Sequence, residues 1–159
     1  MLQIGVPREI AIGERRVALI PESIQGVVAA GAEATIERGA GVEAGFLDEA
    51  YENAGARIAD SAAEVLGGSD LVLKVQPPRA RDSGEHEIDD MREGAALISF
   101  LRPLDEPERI ERLAKRRLSA FSMELMPRIT RAQSMDALSS QSTIAGYRAA
   151  QTLSVSAVW

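Results

Sequence analysis

Short apolar runs alternate with amphipathic stretches along most of this chain, and that alternation predicts both strands and helices. Residues 2–6 read as a first strand. Pro21 and Ser23 then open a helix whose Ile24, Val27 and Val28 share one face, and Gly31 ends it. Residues 34–37 make a second strand. Asp48 stands where it can cap a short helix running through Tyr51 and Ala54 and stopping at Gly55, and residues 56–58 follow as a brief strand. Ser61 caps the next helix, which Gly67 and Gly68 end. Residues 71–75 (LVLKV) form a buried strand cut off by Pro77 and Pro78, because proline cannot donate to a ladder. Residues 79–93 are polar and acidic and read as a solvated loop with a short helix. Residues 95–100 are another continuous apolar run, Pro107 starts a helix with Ile110 and Leu113 facing inward, and residues 118–123 are the last strand.

Six strand-like runs joined by mostly helical connections imply an α/β fold with a doubly wound, mostly parallel sheet of the Rossmann-like or flavodoxin-like kind, since each parallel connection needs a crossover. From Asp136 to about Val155 the chain reads as one long exit helix, with Leu138, Ile144, Tyr147 and Leu153 among its apolar positions despite Gly146. There are no internal repeats.

Composition narrows the possible partners. A chain of 159 residues, 45% hydrophobic, can bury one good core and suits one domain with an appended piece. With 24 acidic against 18 basic residues, the formal charge of -6 argues against nucleic acid or an anionic membrane surface as the main partner. Any anion site must be local. The absence of cysteine removes disulfides, thiolate catalysis and Cys-ligated metals, and with no signal peptide evident a cytoplasmic setting is expected. No apolar run approaches the roughly 18–20 residues that span a bilayer, so no direct membrane span is expected in this chain.

The densest chemistry lies in PRITRAQSMDALSS, residues 127–140, where Arg128, Arg131, Gln133, Asp136, Ser139 and Ser140 follow the last strand. In parallel α/β sheets, ligands collect beyond the carboxyl ends of strands, where loops enter helix N-termini. Two guanidinium groups offer forked donors for phosphate or carboxylate, and Gln133 and Asp136 offer the acceptors a ribose diol needs. The residue types leave a second reading open, a polar loop capped by Asp136.

Three other features weigh less. Gly39, Gly41 and Ala44 fit the relaxed pattern G-x-G-x-x-(G/A), but Gly45 follows and no helix signal comes before Asp48, so a glycine-rich turn is expected rather than a dinucleotide loop. His86, the only histidine, lies between Glu85 and Glu87 in an acidic surface loop with no second ligand cluster, and no metal site is expected. Lys74, at the carboxyl end of a buried strand, must either be exposed or meet an anion. Arg15 and Arg16, in the loop after the first strand, can share its edge of the sheet.

These residues carry a resemblance. Residues 4–9 (IGVPRE), 15–21 (RRVALIP), 37–41 (ERGAG) and 73–75 (LKV) resemble the N-terminal domain shared by alanine dehydrogenase and the alpha subunit of proton-translocating NAD(P) transhydrogenase. Residues 127–140 and the continuation IAGYRA at 144–149 favour the transhydrogenase branch. The resemblance implies that Arg128, Gln133 and Asp136 reach the nicotinamide end of bound NAD(H) and serve hydride transfer, with Ile129, Thr130, Arg131 and Ser139 as further cofactor contacts. It also implies a low-ranking substrate pocket, because the alanine-binding arginine and lysine of alanine dehydrogenase correspond to Arg15 or Arg16 and Lys74. Where that branch carries a catalytic histidine, this chain has Arg102, and a guanidinium that stays protonated cannot act as the acid/base of amino-acid oxidation.

The implied reaction is hydride transfer between NADH and NADP+ by positioning of two nicotinamide rings. NADP(H) sits on a partner domain in this reading. The implied partners are NADP-binding and membrane-embedded subunits, the implied assembly is a homodimer, and the implied location is cytoplasmic, peripheral to the inner membrane through those partners. Residues 1–134 are expected as the family's N-terminal domain, and residues 135–159 as a connecting helix with a tail that loses the resemblance. The Rossmann NAD-binding domain that follows in the family is not in this chain, so a truncated fragment that binds NAD(H) weakly, and is inactive alone, is expected. The alternatives are an alanine dehydrogenase-like oxidoreductase fragment and a non-catalytic domain that pairs with family members.

Overall fold

A computed structural model describes residues 1–127 and 129–137, with the backbone alone at 133–135. Six strands form one wholly parallel sheet: β1 (Gln3–Val6), β2 (Glu33–Glu37), β3 (Arg57–Ala59), β4 (Leu71–Leu73), β5 (Ala96–Ser99) and β6 (Ser119–Ser122). Their order is β3-β2-β1-β4-β5-β6, which is the order of doubly wound nucleotide-binding sheets. Five α-helices connect them: α1 (Pro21–Ala29), α2 (Asp48–Asn53), α3 (Ala62–Gly68), α4 (Glu87–Asp90) and α5 (Pro107–Lys115). The chain divides at Ser122 into a unit that holds the sheet and a second compact unit from Met123 onward.

Right-handed crossovers place helices that step one way along a sheet on one face and those that step the other way on the opposite face. The two apolar clusters match that rule. Ile24 of α1 and Tyr51 of α2 pack with Val6 and Ile36, whereas Leu66 of α3, Ile88 of α4 and Leu113 of α5 pack with Val72 and Leu97. At the centre, Gly5 lets α3 lie directly on β1: a Cβ there would stand 2.1 Å from Ser69 Oγ and 2.9 Å from Val65 Cγ1.

Most predicted elements are present with shifted ends. The strand expected at 71–75 stops at Leu73, because the N–H groups of Val75 and Gln76 bond to the Glu9 carboxylate instead of a neighbouring strand. Ser61 caps α3 by accepting the Glu64 N–H. Asp48 does not cap α2. It is the helix's first residue, Leu47 precedes it without a side-chain cap, and its carboxylate accepts the Gly39 N–H at 2.8 Å. Residues 79–93 are not simply solvated, since Glu87, Ile88 and Met91 are fully buried. On α5, Ile110 is 36% exposed, and Arg109 takes the inward place beside Leu113 by donating to the Pro78 and Leu101 carbonyls. The glycine-rich stretch 39–45 is the expected turn: Gly39 and Gly45 have φ of 73° and 90°, a short 3-10 helix covers Val42–Ala44, and the next α-helix waits until Asp48. Beyond residue 137, the predicted exit helix lies outside the described residues.

Candidate functional site

The chain steps from β1 toward β2 in one direction and returns from β3 to β4 in the other, so the crevice beyond the carboxyl ends of β1 and β4 is the topological switch point. Charged side chains from three separate segments converge there. Lys74, one residue past β4, places Nζ 2.7 Å from Glu87 Oε1 and 3.5 Å from Glu9 Oε2. The three side chains are 1%, 1% and 5% exposed. Glu87 also accepts the Arg79 N–H at 3.0 Å, and Glu9 ties the β1 loop to β4 through Val75 and Gln76. A lone buried ammonium is costly, and two carboxylates with backbone donors remove that cost. Burial pushes the Glu9 carboxyl above its ordinary range against the pull of Lys74 and the two N–H groups.

The outer part of the crevice is a cleft of about 330 Å³ lined by Arg8, Glu9, Glu14, Arg16, Ala40 and Glu43, among others. Glu14 accepts from the Arg16 guanidinium and backbone and from Gln76 Nε2. The Arg16 bond, the largest cause, holds its carboxyl down at about 2, and in return raises the guanidinium of Arg16. Arg15 is exposed and faces Glu43 at 3.4 Å. The structure therefore brings Arg15, Arg16 and Lys74 to one edge, as the sequence suggested, but holds Lys74 inside the protein against its own carboxylates. Glu9, Glu14, Gln76 and Glu87 were not singled out by sequence. The demand of a buried lysine for anions was the available signal, and it names no partner.

His86 is half-buried and is neither a metal ligand nor a surface ornament. Its Nδ1 accepts the Ile88 N–H at 3.2 Å and so caps α4. Burial, then the facing Arg112, holds its imidazole below the ordinary value. Among the described residues no cluster of His, Asp and Glu could hold a metal ion, and no helix is long and apolar enough to cross a membrane.

In the second unit, 3-10 helices cover Met123–Leu125 and Thr130–Met135. The turn between them is tight, with the Ile129 N–H on the Pro127 carbonyl and the Ala132 N–H on the Ile129 carbonyl, both at 2.9 Å. A helix start near Asp136 was expected, and the 3-10 turn precedes it. Ile129, Thr130 and Arg131 are exposed together on this turn, Ala132 is buried, and Asp136 is half-buried and engaged in an interaction of its own. Arg128, Ser139, Ser140 and the Gln133 side chain lie outside the described residues.

Residues 5–145 match the family described as alanine dehydrogenase/PNT, N-terminal domain. In Rhodospirillum rubrum, the first of the chains that make up NAD(P) transhydrogenase subunit alpha is 48% identical over 148 residues, which cover 93% of this chain and 38% of that protein. Alanine dehydrogenase of Bacillus subtilis is 34% identical over 148 residues, with 93% and 37% covered. Among solved structures, transhydrogenase from Sinorhizobium meliloti aligns with a TM-score of 0.85 at 40% identity, over 94% of this chain and 43% of that one. The chain spans less than half the length of these relatives.

Proposed function

The chain belongs to the alanine dehydrogenase/PNT N-terminal domain family, and from that premise we propose that it is the N-terminal part of the NAD(H)-binding component of an NAD(P) transhydrogenase. The observation that carries this reading over the alanine dehydrogenase one is Arg102. It follows β5 at the carboxyl edge of the sheet with φ of 48°, where the other branch has its catalytic histidine, and a guanidinium neither takes nor gives a proton near neutral pH. The higher identity to the transhydrogenase subunit, 48% against 34%, points the same way.

The donor set on the second unit suits a nicotinamide nucleotide. Arg131 is exposed and has no bonded partner among the described residues, and Thr130 beside it offers a hydroxyl. In this reading Ile129, Thr130, Arg131 and Ser139 hold the cofactor, Arg128 and Asp136 orient its carboxamide or ribose, and Gln133 completes the hydrogen bonding at the ring. Bound NAD(H) supplies the hydride. The chain's own residues bind, orient and exclude water, which is catalysis by positioning. Partner subunits supply the NADP(H) site and the proton path, and the chain acts as a homodimer in the cytoplasm, peripheral to the inner membrane through them.

The test is a chimera in which this chain replaces the matching 148 residues of the Rhodospirillum rubrum subunit, assayed with that organism's partner subunits. Hydride transfer from NADH to an NADP+ acceptor is expected, and alanine-dependent reduction of NAD+ is not. Alanine-dependent NADH formation without transhydrogenation would overturn the proposal.

A further inference from the structure

Helix α4 begins on a titratable cap. His86 Nδ1 accepts the Ile88 N–H at 3.2 Å, so that nitrogen carries no proton and the neutral ring keeps its hydrogen on Nε2. The charged groups facing the ring are Glu87 and Asp89 of α4, Arg109 and Arg112 of α5, and Arg79, which lines the same groove. The residue immediately after the cap is Glu87, whose carboxylate bridges Lys74 Nζ at 2.7 Å and the Arg79 N–H at 3.0 Å. One side chain thus joins the start of α4 to the buried ammonium at the switch point.

From this geometry we infer that His86 is a proton-operated latch: a proton taken up at Nδ1 removes the cap of α4, frees Glu87 from Lys74 and bares the Lys74 ammonium toward the crevice. A protonated Nδ1 is a donor, so it opposes the Ile88 N–H instead of accepting it. The new positive charge also stands at the helix N-terminus, where the backbone N–H groups already repel cations. Released from Glu87, Lys74 keeps only Glu9 at 3.5 Å, and a cluster of two carboxylates around one ammonium becomes a single long ion pair. The latch lies wholly within the first compact unit and does not depend on the cofactor reading.

The chain has two lysines, buried Lys74 and exposed Lys115, so Lys115 is an internal reference. Full-length chain is labelled with an amine-reactive reagent at pH of about 7.5 and about 5.5, either side of an ordinary histidine, and the Lys74-to-Lys115 ratio is read by mass spectrometry. A rise of about fivefold at the lower pH is expected, the factor that corresponds to a typical N-cap. H86N keeps an accepting oxygen that does not titrate, so its ratio stays low at both pH values; H86A has no cap, so its ratio is high at both. Amide exchange read in parallel accelerates at Ile88 and not at Val6 of β1. A flat ratio in the wild type, an equal rise in H86N, or equal acceleration at Val6 would each overturn the latch.

Discussion

Lys74 Nζ lies 2.7 Å from Glu87 Oε1 with both side chains only 1% exposed, and Glu9 completes the set from a segment more than sixty residues away in sequence. Removing one partner of a buried ion pair leaves an uncompensated charge, which costs about 3–5 kcal/mol. Lys74→Met strands two carboxylates in one buried site and should lose stability in that range by guanidinium unfolding. Glu87→Gln keeps an oxygen for the ammonium, and Glu9 still balances the charge, so it should lose clearly less. A loss below about 1 kcal/mol for Lys74→Met would mean that the cluster is hydrated and contributes little.

The contact of α3 with β1 gives a packing prediction. Gly5→Ala puts a methyl group 2.1 Å from Ser69 Oγ and 2.9 Å from Val65 Cγ1, in the centre of the sheet, where backbone shifts are hard to absorb. Overpacking of this kind costs about 1–3 kcal/mol. Adding Ser69→Ala removes the Oγ overlap but leaves Ser69 Cβ at 3.0 Å and Val65 in place, so the unfolding midpoint should recover only in part. An unchanged midpoint in Gly5→Ala alone would show that α3 slides freely.

Which features were legible in the sequence follows from the range of the interactions that make them. The strands and their turns rest on local signals: apolar runs such as LVL at β4 and glycines such as Gly39, Gly45 and Gly55 with positive φ. The parallel order followed from helical crossovers alone. What escaped depends on partners far along the chain. Asp48 sits at a helix start, as a cap would, yet the Gly39 N–H draws its carboxylate away. Arg109 displaces Ile110 from the inner face because the Pro78 and Leu101 carbonyls await a donor there. The partners of Lys74 come from two segments that only the fold joins. In residues 127–140 the residue types announced chemistry, whereas the 3-10 turn over Thr130–Met135 did not show in the apolar pattern.

Glu14 provides a pH dependence with a definite sign. Its folded carboxyl is held at about 2 against an ordinary 4.5, chiefly by the Arg16 hydrogen bond. A depressed folded value favours the ionised folded state, so the contribution is complete above about 4.5 and is lost as pH falls toward 2. Glu14→Gln should therefore be less stable than wild type at neutral pH, with the gap in melting temperature closing over that acid window. A gap that stays constant down to pH of about 2 would assign the loss to packing or to the Gln76 bond instead.

The last prediction separates cofactor contact from folding in residues 127–140. In the chimera with the Rhodospirillum rubrum subunit, Arg128→Ala, Gln133→Ala and Asp136→Ala should each slow NADH-to-NADP+ hydride transfer by about 10- to 100-fold, because a nicotinamide ring displaced by an ångström leaves the near-attack geometry. Arg131 is exposed and without a bonded partner among the described residues, so Arg131→Ala should weaken NADH binding with little effect on the rate at saturation. Because these residues lie beyond Ser122, outside the unit that contains the sheet, the melting temperature of the sheet-bearing unit should not move in any of the four. If the rate losses instead track losses in melting temperature, the loop acts by holding the fold together, and the capped-loop reading of Asp136 replaces the cofactor one.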